Sequence, residues 1–190
     1  MSRDRILTAD SCPAVDADAG FVMDEDAFRA FYDRTARGIW AYLARVTNDR
    51  QIADDLLQET YYRFLRANAT HDTEQHRRNS LYRIATNLAR DVRRKRLTRP
   101  VSRAVGDEIE TAPSGDLGGR AERVADLNRA MAHLQPRERA MLWLAYAEGA
   151  SHDEIAAVLG VRPGSLKTLL FRARRRLAEL LNGAAERGIE

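Results

Sequence analysis

Ser151–Leu177 reads SHDEIAAVLGVRPGSLKTLLFRARRRL, and its punctuation decides the fold. Ser151 is a residue whose hydroxyl can accept an unpaired backbone N–H at a helix start, and Glu154 three positions on completes a capping box. Ile155, Ala156, Val158 and Leu159 give this first helix an apolar face. Gly160 ends it, because a residue without Cβ enters left-handed backbone at little cost. Pro163 opens a second helix, where its missing N–H is not needed. Leu166, Leu170, Ala173 and Leu177 then recur at three- and four-residue spacing and form one buried stripe. Six basic residues and no acidic one fall between Arg162 and Arg176. An ordinary helical hairpin with a solvated basic face requires no such coincidence of tight turn, apolar stripe and wholly basic polar face. A helix-turn-helix does, since it lays its second helix in the major groove of duplex DNA. Ser165, Thr168, Leu169 and Arg172 are the candidate base readers. Lys167, Arg174, Arg175 and Arg176 suit phosphate.

Outward from this unit, Arg120–Leu134 carries Val124, Leu127, Met131 and Leu134 in helical phase. Pro136 starts another helix with Ala140, Met141, Leu144 and Ala145. These two cover the apolar side of the helix-turn-helix and make a four-helix domain over 120–182, with 183–190 as a tail. Before it, 98–119 reads as a flexible linker: Pro100–Gly119 holds two prolines, four glycines and little periodicity. Asp107, Glu108 and Glu110 give the linker an acidic patch.

Residues 24–97 form a second helical unit. Its first helix spans about Asp24–Arg45, with Phe28, Phe31, Tyr32, Ile39, Trp40, Leu43 and Val46 on a broad apolar side. Asn48 is expected to begin the next helix, with Gln51 at the capping-box position and Ile52, Leu56, Leu57, Tyr61, Phe64 and Leu65 as its stripe. Its polar side gathers Asp54, Asp55, Gln58 and Glu59, a compact acidic patch. Asn68–Arg77 reads as a polar loop containing His71 and His76. A third helix, about Asn79–Lys95, has Leu81, Ile84, Ala85, Leu88 and Val92 on one face. It ends in a dense basic run, and by Arg103 seven basic residues stand against Asp91 alone. Helix-dipole complementarity needs far fewer. Cations beside Tyr82, Asn87 and the loop histidines are the composition that holds single-stranded nucleic acid. Residues 1–23, rich in Asp, Ala and Gly, read as a flexible acidic arm.

The bulk composition excludes more than it identifies. The chain has 190 residues, 31 Lys plus Arg against 28 Asp plus Glu, a net charge of +3 and one cysteine, Cys12. Four histidines lie scattered, without zinc-ligand spacing. No nucleophile with a base and an orienting group can be proposed, and no glycine-rich phosphate loop precedes a helix, so no enzyme is expected and no cofactor or metal. No apolar run reaches transmembrane length and no secretory leader is visible, which makes the cytoplasm the expected compartment.

Two segments of the first unit, ADDLLQETYYRFLRA (Ala53–Ala67) and LYRIATNLARDVRRKR (Leu81–Arg96), together with the stretch from Leu134 to Leu177, resemble the extracytoplasmic function sigma factors of the bacterial sigma-70 family. The likeness covers about 24–97 and 120–181 and implies an all-α chain of two small helical domains. It implies that 24–97 is region 2, binding the clamp helices of core RNA polymerase through Asp54, Asp55, Gln58 and Glu59. The third helix and its loop would hold the non-template strand of the minus-ten promoter element through His71, Asn79, Tyr82, Arg83, Asn87, Arg90, Arg93 and Arg94. Region 4, 120–182, would read the minus-thirty-five element through Arg162, Ser165, Lys167, Thr168, Leu169, Arg172, Arg175 and Arg176, and would touch the polymerase flap. An anti-sigma factor, often membrane-bound, is the implied inhibitor. Two positions depart from the family pattern: Ser80 where many relatives carry tryptophan, and Leu169 where they commonly carry arginine. The competing reading is a conventional helix-turn-helix regulator whose first domain binds a ligand or partner. With separate small cores and a flexible tether, the relative placement of the two units is expected to be set by a partner.

Overall fold

A computed structural model of the chain describes residues 24–67, 73–98 and 119–187. The N-terminal arm with Cys12, His71 in the loop before the third helix, and the linker acids Asp107, Glu108 and Glu110 lie outside them. The described residues form seven helices: α1 (Glu25–Thr47), α2 (Arg50–Arg66), α3 (Glu74–Thr98), α4 (Gly119–Ala132), α5 (Pro136–Tyr146), α6 (His152–Leu159) and α7 (Pro163–Arg187). The fold is all-α, with α1–α3 as one cluster and α4–α7 as another.

Local chemistry sets the boundaries. Asp24 caps α1 by accepting the Ala27 N–H at 2.7 Å. Asn48 does not begin α2 as expected. It closes α1 in the left-handed conformation (φ 56°, ψ 39°), a role its short polar side chain tolerates. Asp49 is the cap of α2 instead, accepting from the Ile52 N–H at 3.0 Å. Arg96 near the end of α3 reaches the other Asp49 oxygen at 2.9 Å, which ties the last turn of α3 to the first of α2. Helix α3 begins five residues before the expected Asn79. There the Thr73 hydroxyl accepts the His76 N–H at 3.1 Å, so a polar stretch without an apolar stripe is still helical.

In the first cluster α1, α2 and α3 pack pairwise around Phe31, Ile39, Tyr42, Leu43, Phe64 and Leu81. Its buried polar groups are paired: the Tyr42 and Thr86 hydroxyls lie 2.6 Å apart, as do those of Thr35 and Tyr61. Burial pushes the Tyr42 phenol up to about 12. In the second cluster α7 packs against α4, α5 and α6 through Leu166, Leu170 and Ala173.

The two clusters do not stand apart. Helix α1 packs on α5 and α3 on α6, and one continuous set of buried residues runs through both. Tyr42, Leu43 and Ala44 are consecutive and all fully buried, which one amphipathic face cannot achieve. The C-terminal half of α1 is enclosed because α2 and α3 cover one side and α5 the other. The expectation of separate cores is therefore corrected: apolar surface on α1 packs against the second cluster.

Candidate nucleic-acid interface

The helix-turn-helix is built as its text requires. Ser151 Oγ accepts the Glu154 N–H at 3.3 Å, and Glu154 Oε2 accepts the Ser151 N–H at 2.7 Å. Gly160 ends α6 at φ 63°, ψ 45°. With Leu166, Leu170 and Ala173 turned inward, Ser165, Lys167, Thr168, Arg172, Arg174, Arg175 and Arg176 are all exposed on α7, as is Arg162 in the turn. Leu169 is half-buried against the edge of the core, so its side chain shapes the rim of this exposed basic face. Arg175 pairs with Glu179 at 3.0 Å, an exposed bond that water and phosphate can exchange.

The α3 residues divide. Arg83, Asn87, Arg93 and Arg94 are exposed. Asn79 and Arg90 lie on the same stripe as Arg83 and Asn87, at four- and three-residue steps, but α6 engages both ends of it. Asn79 Nδ2 donates to Glu154 Oε1 at 2.9 Å, and the Arg90 guanidinium donates to the Leu159 carbonyl at the C-terminus of α6. Beside them Arg78 meets Glu148 at 2.5 Å. Glu154 accepts from Asn79 and from the Ser151 backbone, and its pKa falls to about 2. Tyr82 is 4% exposed, with its ring edge-on to Tyr42 at 5.2 Å, and belongs to the core rather than to a stacking platform in this arrangement. Burial, then the hydrogen bond and charge of Glu148, raise its pKa. Gly38 allows this joint to close: a Cβ there would lie 3.2 Å from the Tyr82 hydroxyl and 3.5 Å from Glu148 Oε1.

On α2, Asp54, Asp55 and Gln58 are exposed and Glu59 half-exposed. Trp40 Nε1 donates to Asp54 Oδ1 at 2.7 Å, and Arg63 pairs with Glu59 at 2.6 Å. Asp55 and Gln58 continue along one helical stripe into Tyr62 and Leu65, which are 54% and 51% exposed. Leu65 thus differs from its expected core position. The adjacent tyrosines carried a usable signal, since Tyr61 and Tyr62 stand about 100° apart on a helix and cannot both face one core. Phe171 on α7, 56% exposed, was likewise not singled out by the sequence.

Residues 31–98 match sigma-70 region 2, and 125–177 match sigma-70 region 4. The chain is 30% identical over 183 residues to the ECF RNA polymerase sigma factor BldN of Streptomyces coelicolor, covering 89% of this chain and 69% of that protein. It is 32% identical over 154 residues to the ECF RNA polymerase sigma factor SigL of Mycobacterium tuberculosis, covering 78% and 85%. The chain belongs to the ECF sigma factors of the sigma-70 family. As a sigma factor it directs RNA polymerase to promoters in transcription initiation, and it contributes binding rather than catalysis. Among solved structures, the sigma factor RpoE in complex with the anti-sigma factor NepR from Bartonella quintana superposes with a TM-score of 0.69 at 24% identity, covering 82% of this sigma factor and 96% of that chain, a likeness of fold. No helix among the described residues is long and apolar enough to cross a membrane. No cluster of His, Cys, Asp or Glu among them could hold a metal ion.

Proposed function

We propose that this sigma factor engages core polymerase and promoter through three surfaces that its fold separates. The α2 stripe of Asp55, Gln58, Tyr62 and Leu65, flanked by Asp54 and Glu59, docks on the polymerase clamp, where acid and apolar groups suit a basic helical partner. The outward face of α7 reads the minus-thirty-five duplex through Ser165, Thr168, Leu169 and Arg172, with Arg162, Lys167, Arg175 and Arg176 on phosphates. Helix α3 holds the minus-ten strand through Arg83, Asn87, Arg93 and Arg94, joined by Asn79 and Arg90 once α6 releases them. Residues 24–97 thus act as the strand-holding domain and 120–182 as the duplex-reading domain.

The observation that carries this reading is the opposite state of the two cationic faces: that of α7 is open to solvent, whereas α6 occupies both ends of the α3 stripe. Duplex can be read before strand capture begins. Separating base pairs costs about 1.4 kcal/mol per step in stacking, and with no nucleotide hydrolysed that energy has to come from newly made strand contacts. An anti-sigma partner that favours the closed joint would block that step; the relative RpoE was solved in complex with an anti-sigma factor, NepR.

The test is transcription by reconstituted polymerase from a promoter selected by this sigma factor, with permanganate footprinting of the opened strand. Replacing Arg93 and Arg94 by alanine is expected to leave upstream duplex binding intact while strand opening falls. Unimpaired opening in that variant refutes the assignment of α3.

A further inference from the structure

Between the two clusters lies a cavity of about 970 Å³, walled by the ends of α1 and α3 on one side and by α5 and the α6 C-terminus on the other. Arg90, Arg93, Arg94, Arg96, Arg137 and Arg139 line it, and among the described residues no acidic side chain does. Like charges are not gathered without compensation, yet the compensation within reach is partial. Arg90 has the Leu159 carbonyl, Arg94 has Asp91 at 3.3 Å, and Arg96 has Asp49. Arg139 has far less. It is 6% exposed, and its Nε and Nη1 find no partner among the described residues. Desolvation lowers its pKa, as expected of a buried cation without an anion.

A buried guanidinium without an anion is costly, and part of that cost is recovered when a group of opposite charge occupies the space that the residue lines. The first turn of α5, Pro136 and Arg137, opens on the same space, and the positive end of the helix dipole adds to the field there. The acceptor must therefore be anionic, carry several oxygens to span arginines on both walls, and fit a volume typical of small-molecule sites. Val46, Val92, Leu97 and Ala140 supply an apolar part of the lining, which inorganic phosphate alone would leave unfilled.

We propose that this cleft binds a small molecule bearing a diphosphate or triphosphate group, of the nucleotide class, which bridges α3 to α5 and holds the two clusters together. Its phosphates would take Arg93 and Arg94 from the minus-ten strand, so the ligand and single-stranded DNA compete. The site shares Arg90, Arg93 and Arg94 with the α3 surface assigned above, and Arg96, Arg137 and Arg139 lie outside the three surfaces. Its ligand binding is measured on the chain alone, without polymerase or promoter, so it stands or fails separately from the proposed function.

The probes are pyrophosphate and ATP, titrated calorimetrically into the full chain at fixed ionic strength, with melting temperature followed in parallel. The expected result is saturable binding of one molecule per chain with a rise in melting temperature. Arg139→Met and Arg137→Ala should each weaken it by about tenfold or more, the loss of one charge-assisted hydrogen bond. Arg29→Ala, on the far end of α1, should leave it unchanged. Arg137 is exposed, so its variant folds even if Arg139→Met does not. No saturable binding, or equal binding by the Arg137 and Arg139 variants, overturns the proposal. So does binding that appears only after Asp107→Asn, Glu108→Gln and Glu110→Gln together, which would make the acidic linker the occupant.

Discussion

Glu148→Gln is the smallest change that tests whether the joint between the clusters governs access to α3. The substitution keeps the shape and removes the charge. Glu148 has only 11% of its side chain exposed and meets Arg78 at 2.5 Å, whereas Arg78 keeps 37% of its side chain exposed. Because Arg78 can turn to water, the full penalty for orphaning a buried cation, about 3–5 kcal/mol, does not apply. The loss is the difference between a charge-assisted and a neutral hydrogen bond, about 1–2 kcal/mol. If the closed form dominates, that multiplies the population with α3 free of α6 by about 5- to 30-fold. Apparent affinity for strand scales with that population, so binding tightens by the same factor. The assay is fluorescence anisotropy with a single-stranded minus-ten oligonucleotide at one salt concentration, since affinity varies steeply with salt. Energy transfer between dyes on α2 and α7 reports opening independently. Unchanged transfer with unchanged or weaker strand affinity would refute the claim that the joint hides the α3 stripe.

Acid should loosen the same joint. Glu154 has a folded-state pKa of about 2, below its ordinary 4.5, so its stabilising contribution is complete above 4.5 and is lost as pH falls through 2. Glu154→Gln is expected to flatten that part of the melting-temperature profile between pH 5 and 2 (about the span of the two pKa values), and an identical profile would show that Asn79 does not hold it. Leu169→Arg should change the minus-thirty-five preference, because leucine offers apolar contact to a thymine methyl while arginine pairs with guanine, a difference of about 1–3 kcal/mol at one base pair; selection from a randomised element checks it, and an unaltered profile rules it out. Gln58→Ala with Tyr62→Ala should weaken polymerase binding by about tenfold or more without shifting the melting temperature, since both side chains are exposed. Retained affinity in a competition assay would remove α2 from the docking surface.

The helix-turn-helix was legible almost residue by residue because each of its signals is local. Ser151, Glu154, Gly160 and Pro163 act within one turn of themselves, and the stripe Leu166, Leu170, Ala173 needs only the helical period. Capping errors arose where two residues compete for one role: Asn48 and Asp49 both can cap, and only backbone geometry shows that the first closes α1 and the second opens α2. The joint was hidden for another reason. Asn79, Arg90 and Glu154 are polar and look like surface, because their partners lie about 70 residues away in sequence. One trace was present: the run GIWAYLARV in α1 is apolar nearly all round, and such a helix is enclosed. Its one charge, Arg45, hydrogen-bonds Asn128 at 2.6 Å and sits 5.3 Å from the Trp143 ring centre, both on the second cluster.

The chemistry of that joint explains how a closed form can yield to DNA without a large energetic barrier in the end states. On the α3–α6 side, every group that closing satisfies is one that strand or water also satisfies. In the proposed strand complex Asn79 would exchange the Glu154 carboxylate for base or phosphate oxygens, and Arg90 would exchange a helix-terminal carbonyl for phosphate. Leu159 lies at a helix end, where a freed carbonyl reaches water. No buried polar atom need be orphaned, so apart from the Arg78–Glu148 pair the polar contribution to the difference between the two forms is small. What remains is apolar: the α1–α5 contact, where Tyr42, Leu43 and Ala44 would lose cover on one side at about 25 cal/mol per Å² exposed. A partner that opens this sigma factor must therefore supply apolar burial elsewhere. Tyr62 and Leu65 on α2, exposed on the surface proposed to dock on polymerase, are where such burial would be gained.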